Sequence, residues 1–239
     1  MASIFLFILV VTIGYLSGSI CSAVIVSRVF ALPDPRSEGS QNPGATNVLR
    51  LAGKKYAALV LVTDVLKGFL PVILAKLLGA GPASQGFTCL AAVLGHMYPV
   101  FFGFRGGKGV ATALGALLGL NFIMGIVVIA TWLLVANFYR YSSLASIVAI
   151  TFAPLYSLLI MRVLDVFPPL LFITFLILYK HRENINRLID GDEPKIKLKR
   201  HELSDVTDAI LTPEQNPDDL SSTDGTSVEQ SAELKKDSD

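Results

Sequence analysis

Three polar, glycine-punctuated clusters interrupt an otherwise apolar chain, and their residue types suit the handling of a phosphorylated substrate. The first is Gly-Ser-Gln-Asn-Pro-Gly-Ala-Thr-Asn-Val-Leu-Arg at residues 39–50. Asn42-Pro43-Gly44 is a strong turn signal, and Ser40, Thr46 and Asn47 stand around it, with Arg50 at the end. A turn with free backbone N–H groups and a guanidinium suits phosphate or acyl-phosphate oxygens. An ordinary polar loop has the same composition, so on residues alone both readings stand. The second cluster runs from Gly95 to Thr112 and contains Arg105-Gly106-Gly107-Lys108-Gly109 just before a predicted helix at Val110. Glycines let backbone approach an anion, a helix N-terminus supplies unpaired donors, and Lys108 adds a point charge. His96, upstream, reads equally as a packed helix residue or as part of the site. The third cluster is His181-Arg-Glu-Asn-Ile-Asn-Arg-Leu188. His181 and Asn184, three apart, share one helical face, where an imidazole could orient a hydroxyl or move a proton. Glu183 points elsewhere and reaches Arg182 or Arg187 only off that face.

Some chemistry is excluded. The second cluster is not a nucleotide-binding P-loop: Phe102 occupies the first glycine position, and Gly109 stands where a magnesium-binding Ser or Thr belongs. A His-x4-Asp acyltransferase base is missing, because the residues five after His96, His181 and His201 are Phe101, Asn186 and Val206. An organic-anion transporter would gather polar groups near the bilayer midplane in repeated halves. This chain shows no internal repeat and keeps its clusters at segment ends.

The elements that must position these clusters are membrane helices. The chain has 239 residues, of which 52% are hydrophobic, more apolar surface than a soluble globule of this size can bury. A helical span needs about 20 apolar residues. The runs Ile4–Ser27, Tyr56–Leu78, Gln85–Phe104, Val110–Phe138, Leu144–Met161 and Val166–Tyr179 are near or above that length, which predicts an all-α polytopic bundle. The first run lacks a basic start and a small-x-small cleavage site, so it reads as a retained helix rather than a signal peptide. Basic residues decide orientation. Arg28, Arg36, Arg50, Lys54 and Lys55 flank the first long loop, and Lys180, Arg182, Arg187, Lys195, Lys197, Lys199 and Arg200 follow the last helix. The positive-inside rule places both in the cytoplasm with the N-terminus outside, which requires an odd number of crossings. The run Val110–Phe138 would extend about 43 Å as one helix, too long for one span, yet basic residues lie on both sides of it. Two short legs turning near Leu120-Asn121 return the chain to the cytoplasm and predict about seven helices, with five plus a re-entrant pair as the alternative. Gly115, Gly119 and Gly125 would allow close helix contacts.

Within the second span Asp64 and Lys67 lie three apart, share a face and can pair locally. Cys21 and Cys89 both fall in apolar runs and read as buried small hydrophobes. Residues 1–200 hold 18 Lys or Arg against 8 Asp or Glu, whereas residues 201–239 hold 2 against 11. The chain therefore divides into a basic membrane domain, residues 1–200, and an acidic cytoplasmic tail, 201–239, expected to be disordered and assigned no chemistry.

Taken together, GSxNPGATNVLR, GHxxPVFFxFxGGKGVAT and HxxNIxRLxxGxE, in this order, resemble the PlsY-type bacterial acyl-phosphate:glycerol-3-phosphate acyltransferases, over about Gly14 to Lys197. The resemblance implies transfer of a fatty acyl group from acyl phosphate to the sn-1 hydroxyl of glycerol 3-phosphate. The products are lysophosphatidic acid and phosphate, in phospholipid biosynthesis. It implies a site on the cytoplasmic face of the bacterial inner membrane, with membrane lipid as surroundings. No cofactor, metal, acyl-CoA or nucleic-acid partner is implied. By the same resemblance Ser40, Arg50, His181 and Asn184 are catalytic. Gly106, Gly107, Lys108 and Gly109 bind glycerol 3-phosphate, and Ser143 matches a further polar position on the same face. The residue types of the first cluster add Asn42, Gly44, Thr46 and Asn47 to the substrate-binding set. Gln41 and Arg105 depart from residues common in the family, in each case without loss of a turn or a charge.

Overall fold

A computed structural model describes residues 1–196, and every regular element in them is helical. The acidic tail expected at 201–239 lies outside the described residues. Among the described residues ten α-helices follow one another: α1 Ala2–Gly18, α2 Ser22–Val29, α3 Ala45–Ala52, α4 Lys54–Leu77, α5 Pro82–Met97, α6 Val110–Leu120, α7 Phe122–Tyr139, α8 Ser142–Tyr156, α9 Phe167–Lys180 and α10 Arg182–Asp190. By length and apolarity α4, α7 and α8 with its π-turn to Met161 can cross a membrane. Two bent pairs, α1 with α2 at 40° and Leu164–Lys180 with α10 at 57°, raise the number to five. Leu59, Leu61, Val62 and Leu66 of α4 and Phe122, Ile123, Leu133 and Phe138 of α7 are exposed, an outer surface suited to lipid and not to water.

Two of the apolar runs are broken. The first run, expected as one helix, stops at Gly18 and restarts at Ser22, with the Ser19 hydroxyl bonded to the Tyr15 carbonyl. The break frees the Ile20 carbonyl, and Lys67 Nζ donates to it at 2.7 Å. Backbone freed inside a bilayer must find such a partner. The run 110–138 breaks at Asn121, which ends α6 and caps α7 by accepting the Met124 N–H at 3.0 Å. The turn falls where the sequence places it. The two legs are unequal, however: α7 passes as a span with 18 residues, and α6, with 11, is shorter than a span requires.

Small residues set how closely the helices approach. A side chain on Gly68 of α4 would run into the Thr112 carbonyl of α6, and one on Gly115 of α6 into the Val65 carbonyl of α4. Gly119 and Gly125 make close contacts with Phe69 and Leu118, as their spacing predicted. This packing drives Asp64 and Lys67 inward, where they pair at 2.8 Å, both nearly inaccessible. Cys21 and Cys89 are buried and unbridged. The main apolar core, around Met97, Leu117, Met124, Ile150 and Leu170, fastens α5, α6, α7, α8 and α9 and so fixes the ends of the helices that carry the polar clusters.

Candidate active site

The first cluster is a folded loop stapled from within. Asp34 and Arg36 form a two-point ion pair at 2.7–3.2 Å, and these bonds hold the Asp34 carboxyl below its usual range. Buried Asn47 then closes the loop: its Oδ1 accepts the Ser40 N–H, and its Nδ2 donates to the Pro35 and Glu38 carbonyls, all at 3.0 Å. Gly39, at φ +64°, passes so close to Asn47 Oδ1 that a Cβ would collide with it. Gly44 takes the extended conformation ahead of α3, leaving Ser40, Thr46 and Arg50 exposed and Asn42 partly so. Among the described residues the Ser40 and Thr46 hydroxyls make no hydrogen bond within the protein, which leaves both free for a ligand.

The second cluster is a glycine loop laid over the end of α5. Gly107 N–H donates to the His96 carbonyl at 3.2 Å. A Cβ on Gly106 would strike that same carbonyl, and one on Gly107 would strike the His96 ring and come within 3.0 Å of the Pro43 carbonyl. The two glycines are therefore required by close approach, and the Pro43 contact joins the first cluster to the second. Gly109, at φ +84°, ends the loop and opens α6.

The third cluster meets the second through Lys108, whose Nζ donates to Asn184 Oδ1. Burial, with the nearby Arg187 charge, holds the Lys108 ammonium below the ordinary lysine range. Asn184 Nδ2 donates to Glu193 Oε1 at 2.7 Å, and Arg187 Nε donates to Glu193 Oε2 at 2.8 Å. Burial pushes the Glu193 carboxyl up, but the donors around it and the Arg187 charge outweigh burial and leave it below its usual value. Ser143, at the start of α8, stands near enough to the Glu193 carboxylate to help lower it, yet among the described residues its buried Oγ has no partner at hydrogen-bond geometry. An unpartnered buried hydroxyl at a cluster of charges is a ready contact for a ligand oxygen. His181 sits at the bend between α9 and α10 and is 4% exposed. Its Nδ1 lies 2.8 Å from the Ile177 carbonyl. A carbonyl only accepts, so Nδ1 carries the hydrogen and Nε2 offers a lone pair. Burial, with the charge of Lys108, lowers the His181 pKa to about 4, so the ring is neutral at physiological pH.

The structure thus links the three clusters in sequence, through Pro43 at Gly107 and Lys108 at Asn184. Arg50, at the end of α3, is close enough for its charge to act on Lys108. Ser40 and Thr46 stand on the exposed side of the first loop without direct contact to the other clusters. Glu193 escaped selection from the sequence. Its signal was the Gly-x-Glu that ends the third motif: Gly191, at φ +83°, turns the chain so that the Glu193 N–H bonds the Arg187 carbonyl and the carboxylate returns to α10. Arg187 pairs with this carboxylate, whereas among the described residues Glu183 reaches only Arg182, at 3.8 Å on an exposed surface, where such a pair contributes little.

Residues 8–191 match the sequence profile of the family described as Glycerol-3-phosphate acyltransferase. A protein of that name from Legionella pneumophila strain Corby is 65% identical over 204 residues, covering 85% of this chain and 74% of its own length. Another, from Pseudoalteromonas translucida, is 51% identical over 196 residues, covering 82% and 96%. Among solved structures, the glycerol 3-phosphate form of PlsY (YgiH), an integral membrane glycerol 3-phosphate acyltransferase, superposes with a TM-score of 0.75 at 44% identity. It covers 82% of this chain and 96% of that one. The lysophosphatidic acid form of the same protein gives a TM-score of 0.73 at 43% identity. With the linked clusters, the helical architecture and these relatives in agreement, the chain belongs to the glycerol-3-phosphate acyltransferase family of multi-pass membrane acyltransferases.

Proposed function

We propose that the protein transfers a fatty acyl group from acyl phosphate to the sn-1 hydroxyl of glycerol 3-phosphate, at the cytoplasmic face of the bacterial inner membrane. The carrying observation is the Lys108–Asn184 link, with neutral His181 beside it. A cation suited to a phosphate and a lone pair suited to a hydroxyl in one neighbourhood support this reading. In the reaction the sn-1 oxygen attacks the acyl carbonyl carbon, the carbon–oxygen bond to phosphate breaks, and lysophosphatidic acid and inorganic phosphate leave. Acyl phosphate is an activated anhydride, so alignment and charge stabilisation carry the catalysis. A substrate phosphate oxygen takes the hydroxyl proton.

In this reading Lys108, with Gly106, Gly107 and Gly109, holds the glycerol 3-phosphate phosphate, and Ser143 adds its unpartnered hydroxyl. His181 Nε2 and Asn184 orient the attacking hydroxyl. His181, with a pKa near 4, is too weak a base to keep the proton; its Nε2 accepts the hydroxyl hydrogen while the oxygen is aligned, and that hydrogen turns to the substrate phosphate oxygen as the new carbon–oxygen bond forms. Ser40, Asn42, Gly44, Thr46 and Arg50 receive the donor's phosphate. Asn47, whose amide is fully bonded within its loop, shapes that loop and does not touch substrate. We also propose about seven crossings, with α6 and α7 as the short return pair, the N-terminus outside and the C-terminus cytoplasmic. The test is direct. Purified protein given acyl phosphate and glycerol 3-phosphate should release lysophosphatidic acid and phosphate, and acyl-CoA should not replace the donor. Turnover of acyl-CoA at a comparable rate would refute the assignment of donor.

A further inference from the structure

Beneath the glycine loop runs a chain of buried polar groups that the proposed chemistry does not use. Lys67 Nζ bridges the Ile20 carbonyl, at the α1–α2 break, and Asp64 Oδ1, at 2.7 and 2.8 Å. The Ser17 hydroxyl bonds the Lys67 carbonyl at 2.8 Å, fastening the same turn of α4 to α1. The same Asp64 oxygen lies 3.7 Å from His96 Nδ1 and has no hydrogen bond of good geometry. His96 Nδ1 in turn meets the buried Thr112 hydroxyl, at 3.1 Å, in the first turn of α6. The other edge of the ring and the His96 carbonyl both bear on the loop: Gly107 N–H donates to the carbonyl, and a Cβ on Gly107 would overlap Nε2.

One residue therefore touches the ion pair of α4, the first turn of α6 and the segment that carries Lys108. A charged pair buried in a bundle is weak support for stability, since its desolvation offsets most of the attraction. Its use here is directional. The Asp64 carboxylate, 3.7 Å away, acts on the ring through its charge and favours hydrogen on Nδ1, while the 3.1 Å contact between Nδ1 and Thr112 sets the ring plane against Gly107. Gly106 and Gly107 pack on His96 without side chains to absorb a shift, so a rotation of the ring is passed to Lys108, one residue on.

We propose that His96 is a positioning residue. Held by the Asp64–Lys67 pair and Thr112, it sets the height of the Gly106–Lys108 loop and so places Lys108 Nζ for the phosphate of the acyl acceptor. This rests on the reading that Lys108 holds that phosphate. His96 itself does not touch that phosphate; it acts through the loop that carries Lys108.

The experiment is a double-mutant cycle on full-length protein in lipid nanodiscs, with KM for glycerol 3-phosphate and kcat measured separately and acyl phosphate as donor. His96→Leu should raise KM by about tenfold with kcat changed by less than about threefold. In a Lys108→Ala background the same substitution should add less than about twofold, because the group it places is gone. Thr112→Val, which removes one hydroxyl at nearly constant shape, should raise KM in the same direction by about threefold and should also lose its effect without Lys108. If His96→Leu does not insert, the Thr112→Val and Lys108→Ala pair decides by the same criterion. An effect that persists in full without Lys108, or an unchanged KM in the single variants, overturns the proposal and leaves His96 as packing. The reading of Lys108 fails separately, if Lys108→Ala alone leaves KM for glycerol 3-phosphate unchanged.

Discussion

Lys108→Ala is the substitution that bears most directly on how the site divides binding from chemistry. The Lys108 ammonium rests on Asn184 Oδ1, partly buried and close to the charges of Arg187 and Arg50. A bound phosphate would replace or share that neutral acceptor with a charge-assisted one, and bonds of this kind contribute about 1.5–3 kcal/mol. Taking about 2 kcal/mol, removal should weaken the acceptor by roughly 30-fold. The loss should fall on KM, for a structural reason. Asn184 loses one partner but keeps its Nδ2 bond to Glu193, and His181 keeps its Nδ1 bond to Ile177. The groups proposed to orient the hydroxyl therefore stay in place, and a contact equally strong in ground and transition states changes KM and not kcat. Initial rates of phosphate release, with glycerol 3-phosphate varied at saturating acyl phosphate and then the reverse, give both constants. A KM for glycerol 3-phosphate within about threefold of wild type, together with a raised KM for acyl phosphate, would refute the reasoning and make the glycine loop the donor site. Lys108→Arg should restore only part of the affinity, because a planar fork replaces a compact point charge.

Other outcomes follow from the same geometry. His181→Ala should lower kcat by about 100-fold, or about 2.7 kcal/mol of transition-state stabilisation, and full kcat in a properly inserted variant would remove the third cluster from the chemistry. His181 also ties stability to pH. Its folded pKa, about 4, lies below the ordinary value of about 6.5, so its contribution is intact above pH 6.5 and declines as pH falls from there towards 4, where the unfolded chain binds the proton first. Thermal unfolding followed by fluorescence of Trp132, the single tryptophan, should fall more steeply over that window in wild type than in His181→Asn; equal slopes would contradict it. Gly107→Ala should abolish most activity because its Cβ meets the His96 ring, whereas Gly81→Ala, at a position with open space, should be neutral, and equal activities would count against a close-packed loop. Single cysteines at Arg105 and Glu183, both exposed, should react with an impermeant thiol reagent only in broken cells; labelling from outside would refute the cytoplasmic site.

Apolar run length and local turn chemistry decide the all-helical membrane class, the break at Asn121, the tight turn at Asn42–Gly44 and the close-contact glycines. Each depends on residues within a few positions of one another, so each is legible in the chain itself. The break after Gly18 was not, because the residue that satisfies it, Lys67, lies 47 positions from Ile20. Asn47 shows the same limit at shorter range. Its residue type fits a substrate contact, but once the loop closes, both ends of its amide are bonded to backbone between Pro35 and Ser40. The motifs named Lys108 and Asn184 separately, 76 positions apart, and only the packing of α5, α6, α8 and α9 brings one to the other. Glu193 joins Asn184 and Arg187 because Gly191 reverses the chain, and His96 meets Asp64 because Gly68 and Gly115 let α4 and α6 approach closely enough to bury the pair. Sequence by itself determined which groups could bind an anion, since that follows from side-chain chemistry; which of them share a site is a matter of distance, and distance is decided by how the helices pack.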